Sequence, residues 1–270
     1  MARVDFDGDG SEWIEGVPPR ARAMGLLAAG GGFVVVYSGG GSDLDRSGIL
    51  RLDAGLQLVA TRPLATVRMA HSLIAVGDGY LVNSSGTDAL VMIRWQPDGT
   101  VTEEVAWSFG AGRHEVHVNS VIEYDGRVLV TMFGRSTSDQ WVDARDGAVW
   151  DTTRDRLVCS GLVHPHSLFQ LEDRLCVLES FTGRVLDVTD GRPSEMFRVP
   201  GYARGACIHA GALYVATSVV RMRAGPGSGQ HRGSKIRSRC AIYRIDLRTG
   251  DVRVRDLCRD GPEIYDLCPL

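Results

Sequence analysis

Four histidines carry most of the chemical interest of this 270-residue chain: His71, His117, His164 and His166. Each stands at the head of an apolar run that turns at a Gly/Asp pair or tip and returns as a second apolar run. The copies are His71-Ser72-Leu73 before Gly79, His117-Val118-Asn119 before Gly126, and His164-Pro165-His166-Ser167 before a hairpin reaching about Asp187. A further copy, Tyr202-Ala203-Arg204-Gly205 before Gly211, puts an arginine where the others put an imidazole or amide. Three or four imidazoles from separate segments could bind a divalent transition metal and leave a coordination position for substrate. The metal would then polarise a carbonyl or generate hydroxide near neutral pH. Without a metal, the same groups suit acid–base work: a histidine removes a proton, Tyr265 donates one, and Arg204 holds a carboxylate or a developing enolate. Asn119 and Glu263 complete the candidate catalytic set. Either version fits elimination, epimerisation or cyclisation of a small polar molecule, and no G-x-S-x-G elbow for a serine nucleophile is present.

The elements that must position these groups follow from their spacing. Equivalent positions of successive copies are Met24, His71, Asn119, His166, Arg204 and Tyr265, with spacings of 47, 48, 47, 38 and 61 residues. A period of roughly 40–50 residues with about four strands per unit signals the blades of a β-propeller. The spacing therefore predicts an all-β chain, a single propeller domain over residues 1–270, with six blades preferred and five allowed. The marked residue of each copy falls on the strand nearest the axis. Residues two apart on a strand share a face, so Arg22, Met69, His117, His164, Tyr202 and Glu263 are expected as a second axial layer. Glu179, ending a strand of the fourth unit, is placed near the mouth. The terminal run Glu263-Ile264-Tyr265-Asp266 has no room for the rest of a blade, so residues 1–20 are expected to supply the missing strands and avoid an open edge.

Composition bounds the remaining possibilities. Apolar residues at 44% and charged residues at 23% are ordinary for a globular protein. A net charge of −3 gives no general attraction for nucleic acid or anionic membrane. No apolar run approaches the roughly 20 residues that span a bilayer, and the acidic N-terminus lacks a secretory core. Six cysteines without a C-x-x-C spacing indicate reducing cytoplasm and no disulfide framework. The expected partner is a small molecule; oligomeric state is not legible. Asp5, Asp7 and Asp9 match the first half of a calcium loop, although Gly16 stands at the twelfth position where an acid belongs. Residues 221–239 form a Gly-rich insertion with six basic residues and no acid, expected as a flexible loop. His114, His209 and His231 fall off the axial layers and read as surface residues. Trp95, Trp107, Trp141 and Trp150 lie on or beside outer strands and read as packing between blades.

These runs also resemble, in order, the signatures of a known family. They are Met24-Gly25-Leu26, Gly79-Tyr80-Leu81-Val82-Asn83-Ser84, His117-Val118-Asn119, Pro165-His166-Ser167, Pro200-Gly201-Tyr202-Ala203-Arg204-Gly205, Ile245-Asp246-Leu247-Arg248-Thr249-Gly250 and Glu263-Ile264-Tyr265-Asp266. The family is a bacterial one of predicted β-propellers of unknown function, some of whose members are called tetratricopeptide-associated conserved hypothetical proteins. The resemblance spans residue 22 to the end and implies the propeller fold without implying a reaction. Two functions from different classes remain. One is a small-molecule enzyme of lyase, epimerase or cyclase type. The other is a non-catalytic ligand-binding or scaffold propeller whose polar centre satisfies itself.

Overall fold

The architecture comes from a computed structural model that describes residues 1–8, 10–14, 21–39, 46–112, 114–136, 143–219, 239–258 and 263–270. A short N-terminal hairpin pairs β1 (Ala2–Val4) with β2 (Ser11–Trp13). Five antiparallel four-stranded sheets follow, each in simple sequential order. Blade one contains β3 (Arg22–Ala29), β4 (Gly32–Ser38), β5 (Ser47–Leu52) and β6 (Leu58–Pro63). Blade two contains β7 (Ala70–Val76), β8 (Gly79–Ser84), β9 (Ala89–Trp95) and β10 (Val101–Ser108). Blade three contains β11 (Val118–Tyr124), β12 (Arg127–Met132), β13 (Gly147–Asp151) and β14 (Arg156–Leu162). Blade four contains β15 (Pro165–Leu171), β16 (Arg174–Glu179), β17 (Arg184–Asp187) and β18 (Ser194–Arg198). Blade five contains β19 (Tyr202–His209), β20 (Ala212–Ser218), β21 (Ala241–Asp246) and β22 (Val252–Asp256).

The sequence explains this layering. Second strands such as Phe33-Val34-Val35-Val36 are continuous β-branched or apolar runs because both faces are covered, here Val34 and Val36 by blade two and Phe33 and Val35 by the terminal segments. Outermost strands such as Val252-Arg253-Val254-Arg255 expose their side chains and carry the charge. The inner hairpins close on tight turns, as at Asp125-Gly126, where φ values of 52° and 66° match the turn that suits twisted strands. Between blades the filling is apolar. Val36 and Ile49 meet Leu73 and Val82, while Leu129 and Leu162 meet Leu168 and Val177. Arg51 and Arg62 of blade one lie over the Trp95 ring of blade two, and Phe109 links Trp107 to Trp150 of blade three.

The blade count is five, and the preference for six is corrected accordingly. Beyond the five sheets, the described termini offer only two three-residue strands, paired with each other, and an eight-residue tail. They fill the sector between blades five and one instead of building a sheet there. Val4, Phe6, Ile264 and Leu267 pack on blade five, and Met1, Ile14 and Cys268 pack on blade one.

Serines align the blades and show where the tail belongs. Ser72 accepts from Val121 N at 3.3 Å, Ser120 accepts from Leu168 N at 2.9 Å, and Ser167 donates to Arg204 O. At the other edge of each blade, Ser38 donates to Ala70 O at 3.3 Å and Ser85 to Val118 O at 2.5 Å. The tail repeats both contacts: Ser218 bonds Ile264 N and O, each at 3.0 Å, and Asp266 accepts from Leu26 N at 2.9 Å. Residues 264–266 therefore occupy the position of an innermost strand, with Tyr265 in register with His71. A neutral hydrogen bond contributes only about 0.5–1.5 kcal/mol net, against roughly 1.5–3 kcal/mol for each buried Val or Leu. Burial holds the blades together, and these bonds set their alignment.

Candidate active site in the axial channel

One device recurs near the head of the innermost strands. Met24, Asn119, Ser167 and Arg204 each stand opposite a break in the strand ladder, and in β7 His71 and Ser72 do so together. Such bulges re-aim a side chain out of the regular alternation. Just upstream, Met69, His117 and His164 hold φ at 53°, 52° and 53°, a left-handed state that side chains rarely adopt. The carbonyl of each meets the side chain two residues on. Met69 O lies 2.8 Å from His71 Nδ1, His164 O lies 3.3 Å from His166 Nδ1, and His117 O accepts from Asn119 Nδ2 at 3.3 Å.

These contacts fix the histidine tautomers. A carbonyl can only accept, so Nδ1 carries the proton in both His71 and His166. Serines reinforce the choice: Ser85 Oγ is 2.9 Å from His71 Nδ1, and Ser180 Oγ is 2.6 Å from His166 Nδ1. Ser85 spends its own proton on Val118 O or Asn83 Oδ1, and so accepts from His71. Nε2, across the ring, keeps a bare lone pair in each imidazole. Burial pushes the His71 pKa down to about 4, with the charge of Arg204 adding to the effect. His166 is lowered well below its usual value by burial first and Arg204 second. Both rings are neutral at pH 7.

His71, Asn119, His166, Arg204 and Tyr265 line one cavity of about 170 Å³. It runs along the inner strands past Ser72, Ser120 and Ser167 to Ile74, Ile122 and Asp266. Arg204 contributes its cationic group. Its guanidinium lies 4.3 Å over the Tyr265 ring and 5.2 Å over that of Tyr202, with Nε and Nη1 buried and without an acceptor. Burial would lower its pKa, but Tyr265, Tyr202 and Glu263 more than offset this. Tyr265 donates to Glu263 Oε2 at 2.9 Å, which lies 3.9 Å from Arg22. Glu263 is thereby a support for the tyrosine. Asn119 is held by Thr131 at 2.9 Å and orients its amide rather than titrating.

The expected second layer does not join this cavity. His117 and His164 do not line it: the Phe133 ring stacks on His164 at 4.5 Å and also contacts His117 and His166 at 4.6 and 5.0 Å, while His117 meets the His71 ring edge-on at 5.1 Å. The left-handed turn at His117 and His164 breaks the two-residue alternation that would have put each in line with its neighbour. Of the four imidazoles expected as metal ligands, His117, His164 and His166 are gathered around the Phe133 ring, and His71 stays in contact with His117. Among the described residues, no group of three His, Cys, Asp or Glu side chains is arranged to hold a metal ion. His164 has a different job. Arg145 Nη1 can only donate to His164 Nε2, 3.2 Å away, so Nδ1–H faces the Tyr202 hydroxyl at 3.1 Å and steadies the ring against Arg204. His114, expected as a bystander, sits 2.7 Å from His117 Nδ1.

Other expectations resolve as follows. Glu179 is buried away from the cavity, bonded to Val163 N, Thr182 and Arg184, and braces blade four. Asp5 caps its own turn through Asp7 N and Gly8 N, Asp7 faces Arg253, and Asp9 lies outside the described residues. Of the basic insertion, residues 221–238 and with them His231 lie outside the described residues, as does Trp141. Its flanks, Val219 and Arg239, leave blade five beside the start of β19, whereas the cavity runs toward the opposite, hairpin-turn end. The supporting residues that sequence reading missed are Phe133, Ser85, Ser180 and Asp266. A strict alignment of the repeats carries a signal for the first three, because Phe133 stands where the other copies have Ser38, Ser85, Ser180 and Ser218.

The sequential four-stranded sheets around a polar axis define a β-propeller. Residues 85–270 match the family described as a domain of unknown function, DUF4915, and the chain belongs to that family. No curated protein sequence is significantly similar to it. Among solved structures it is similar to a luciferin-regenerating enzyme, at 12% identity and a TM-score of 0.64 over 90% of this chain and 78% of that one. It is also similar to a chain of a nidogen/laminin complex, at 14% identity and a TM-score of 0.59 over 92% and 84%. A third is a protein from Bacteroides fragilis provisionally described as a 6-phosphogluconolactonase, at 13% identity and a TM-score of 0.55 over 94% and 75%. An enzyme, a provisionally described lactonase and a chain of a nidogen/laminin complex share the fold, so function has to be argued from the site.

Proposed function

We propose that the axial cavity is the active site of a small-molecule enzyme that works by acid–base catalysis on a polar, anionic metabolite. The reaction class is elimination, epimerisation or cyclisation. One observation carries this reading: His71 is locked as the Nδ1–H tautomer by Met69 O and Ser85, which leaves Nε2 as a proton acceptor in a cavity. His166 repeats the arrangement. Substrate would lose a proton to one imidazole, with charge developing on an oxygen beside Arg204, while Tyr265, whose proton is held by Glu263, packs against that guanidinium. A histidine with a pKa near 4 is a weak base. Arg204 contributes to that depression, so an anion bound to Arg204 would raise the basicity of the imidazole when substrate is in place. The metal-assisted version is less well supported, because no three His, Cys, Asp or Glu side chains among the described residues are arranged to hold an ion.

The test is solvent isotope incorporation. Purified protein is incubated in D2O with pools of small hydroxy, oxo and amino acids, and carbon-bound deuterium is followed by NMR. Uptake that disappears in His71→Asn and His166→Asn, both still folded by circular dichroism, is the expected result. Ligand binding without deuterium uptake or product in any pool would make the propeller a non-catalytic receptor.

A further inference from the structure

We propose that Arg204 is a carboxylate receptor and that the ligand of the axial cavity is a small monocarboxylate. The inference deepens the reading of this cavity as the substrate site.

Three observations converge. The first is the state of the guanidinium. Two of its nitrogens, Nε and Nη1, are buried and have no acceptor, whereas buried charges in folded proteins are normally paired. The rings of Tyr265 and Tyr202 lie 4.3 and 5.2 Å from its guanidinium carbon, and Nε and Nη1 are the N–H groups left for a partner. A planar carboxylate presents its oxygens in that plane.

The second is charge. Arg204 is the cationic residue of the lining, and His71 and His166 are neutral there. Two carboxyls lie nearby: Asp266 is engaged by Leu26 N and Leu267 N, both at 2.9 Å, and Glu263 by Tyr265 at 2.9 Å and Arg22 at 3.9 Å. A monoanion balances the site, whereas a phosphate dianion would leave one buried charge uncompensated.

The third is size and lining. A cavity of about 150 Å³ accepts benzene, so the 170 Å³ found here suits roughly six to ten non-hydrogen atoms. Beyond the polar ring, Leu73, Ile74, Val121 and Ile122 form an apolar wall. A carboxylate at one end, a hydrogen-bonding group facing the histidines and a short apolar remainder fit this sequence of surfaces.

The probes are pyruvate and benzoate, with benzamide as the neutral counterpart of benzoate and inorganic phosphate as the tetrahedral anion. Titration calorimetry on the full chain should show both carboxylates binding, with benzamide and phosphate at least 10-fold weaker. Arg204→Met should weaken the carboxylates by about 100-fold or more, the equivalent of one or two charged hydrogen bonds. Should Arg204→Met fail to fold, Arg204→Lys keeps the charge without the planar donor set and should bind them at least 10-fold more weakly than wild type. Phosphate binding as tightly as the carboxylates, no probe binding to wild type, or unchanged carboxylate binding in folded Arg204 variants would each overturn the proposal. Carboxylate binding through Arg204 without deuterium incorporation would keep this receptor and discard the acid–base reading. Incorporation that persists in Arg204→Met would do the reverse.

Discussion

Replacing Asp266 by Asn tests how the propeller is closed, and its sign depends on pH. Asp266 joins the C-terminal tail to blade one through Leu26 N and holds Leu267 N with its other oxygen. Burial raises its pKa from 3.8 to about 7, with the two N–H bonds only partly offsetting that. A carboxyl whose folded pKa lies above its unfolded value stabilises the fold fully below about pH 4. That contribution is lost as pH rises toward 7, at about 1.4 kcal/mol per unit. Between pH 5 and pH 8 the wild type should thus lose about 3 kcal/mol on this account, a loss that Asn, which does not ionise, avoids. Against this, the Asn amide leaves one backbone N–H without an acceptor, which costs about 1–3 kcal/mol at every pH. Urea unfolding should therefore find Asp266→Asn less stable than wild type at pH 5, and equal or more stable at pH 8. Parallel stability curves for the two proteins across that range would refute the argument that Asp266 is a buried, proton-binding closure.

Further outcomes follow from the same geometry. His71, neutral when folded with its pKa near 4, contributes stability that is present above pH 6.5 and lost as pH falls toward 4; His71→Asn should flatten that acid limb, by about 3 kcal/mol in total. Phe133→Ala removes the ring between the two histidine layers and should cost about 3–5 kcal/mol of unfolding free energy; a loss under 1 kcal/mol would show that the ring is not a packed partition. Gly205→Ala places a methyl 2.8 Å from Asp266 Cα, so it should unseat the tail and increase proteolysis at the C-terminus, whereas Gly10→Ala, where an added methyl meets nothing within 4 Å, serves as a control. Ser85→Ala leaves Met69 O as acceptor for His71 Nδ1–H, so the 15N shift pattern of that imidazole should still report the Nδ1–H tautomer; a switch to Nε2–H would refute the assignment to the carbonyl.

The amino-acid sequence by itself determined the propeller, the hairpin at the head of each unit, and the ring of His71, Asn119, His166, Arg204 and Tyr265. Those features rest on local patterns: apolar runs, Gly/Asp turns and a repeat near 47 residues, which put equivalent side chains at equivalent places on the axis. The tertiary structure decided the rest. The blade number depended on whether two short termini could form a sheet or only fill a sector, which is a question of packing volume. The fate of His117 and His164 depended on left-handed backbone at their own positions, stabilised by bonds to the following strand and invisible to a rule of alternating faces. The choice of proton on His71 depended on the Met69 carbonyl, turned toward the ring by left-handed backbone, and was reinforced by Ser85, fourteen residues away. Phe133 took the space among His117, His164 and His166, at a position where the other copies have a serine. Strand patterns are written between neighbours along the chain, whereas tautomer, charge state and cavity arise where blades meet across it.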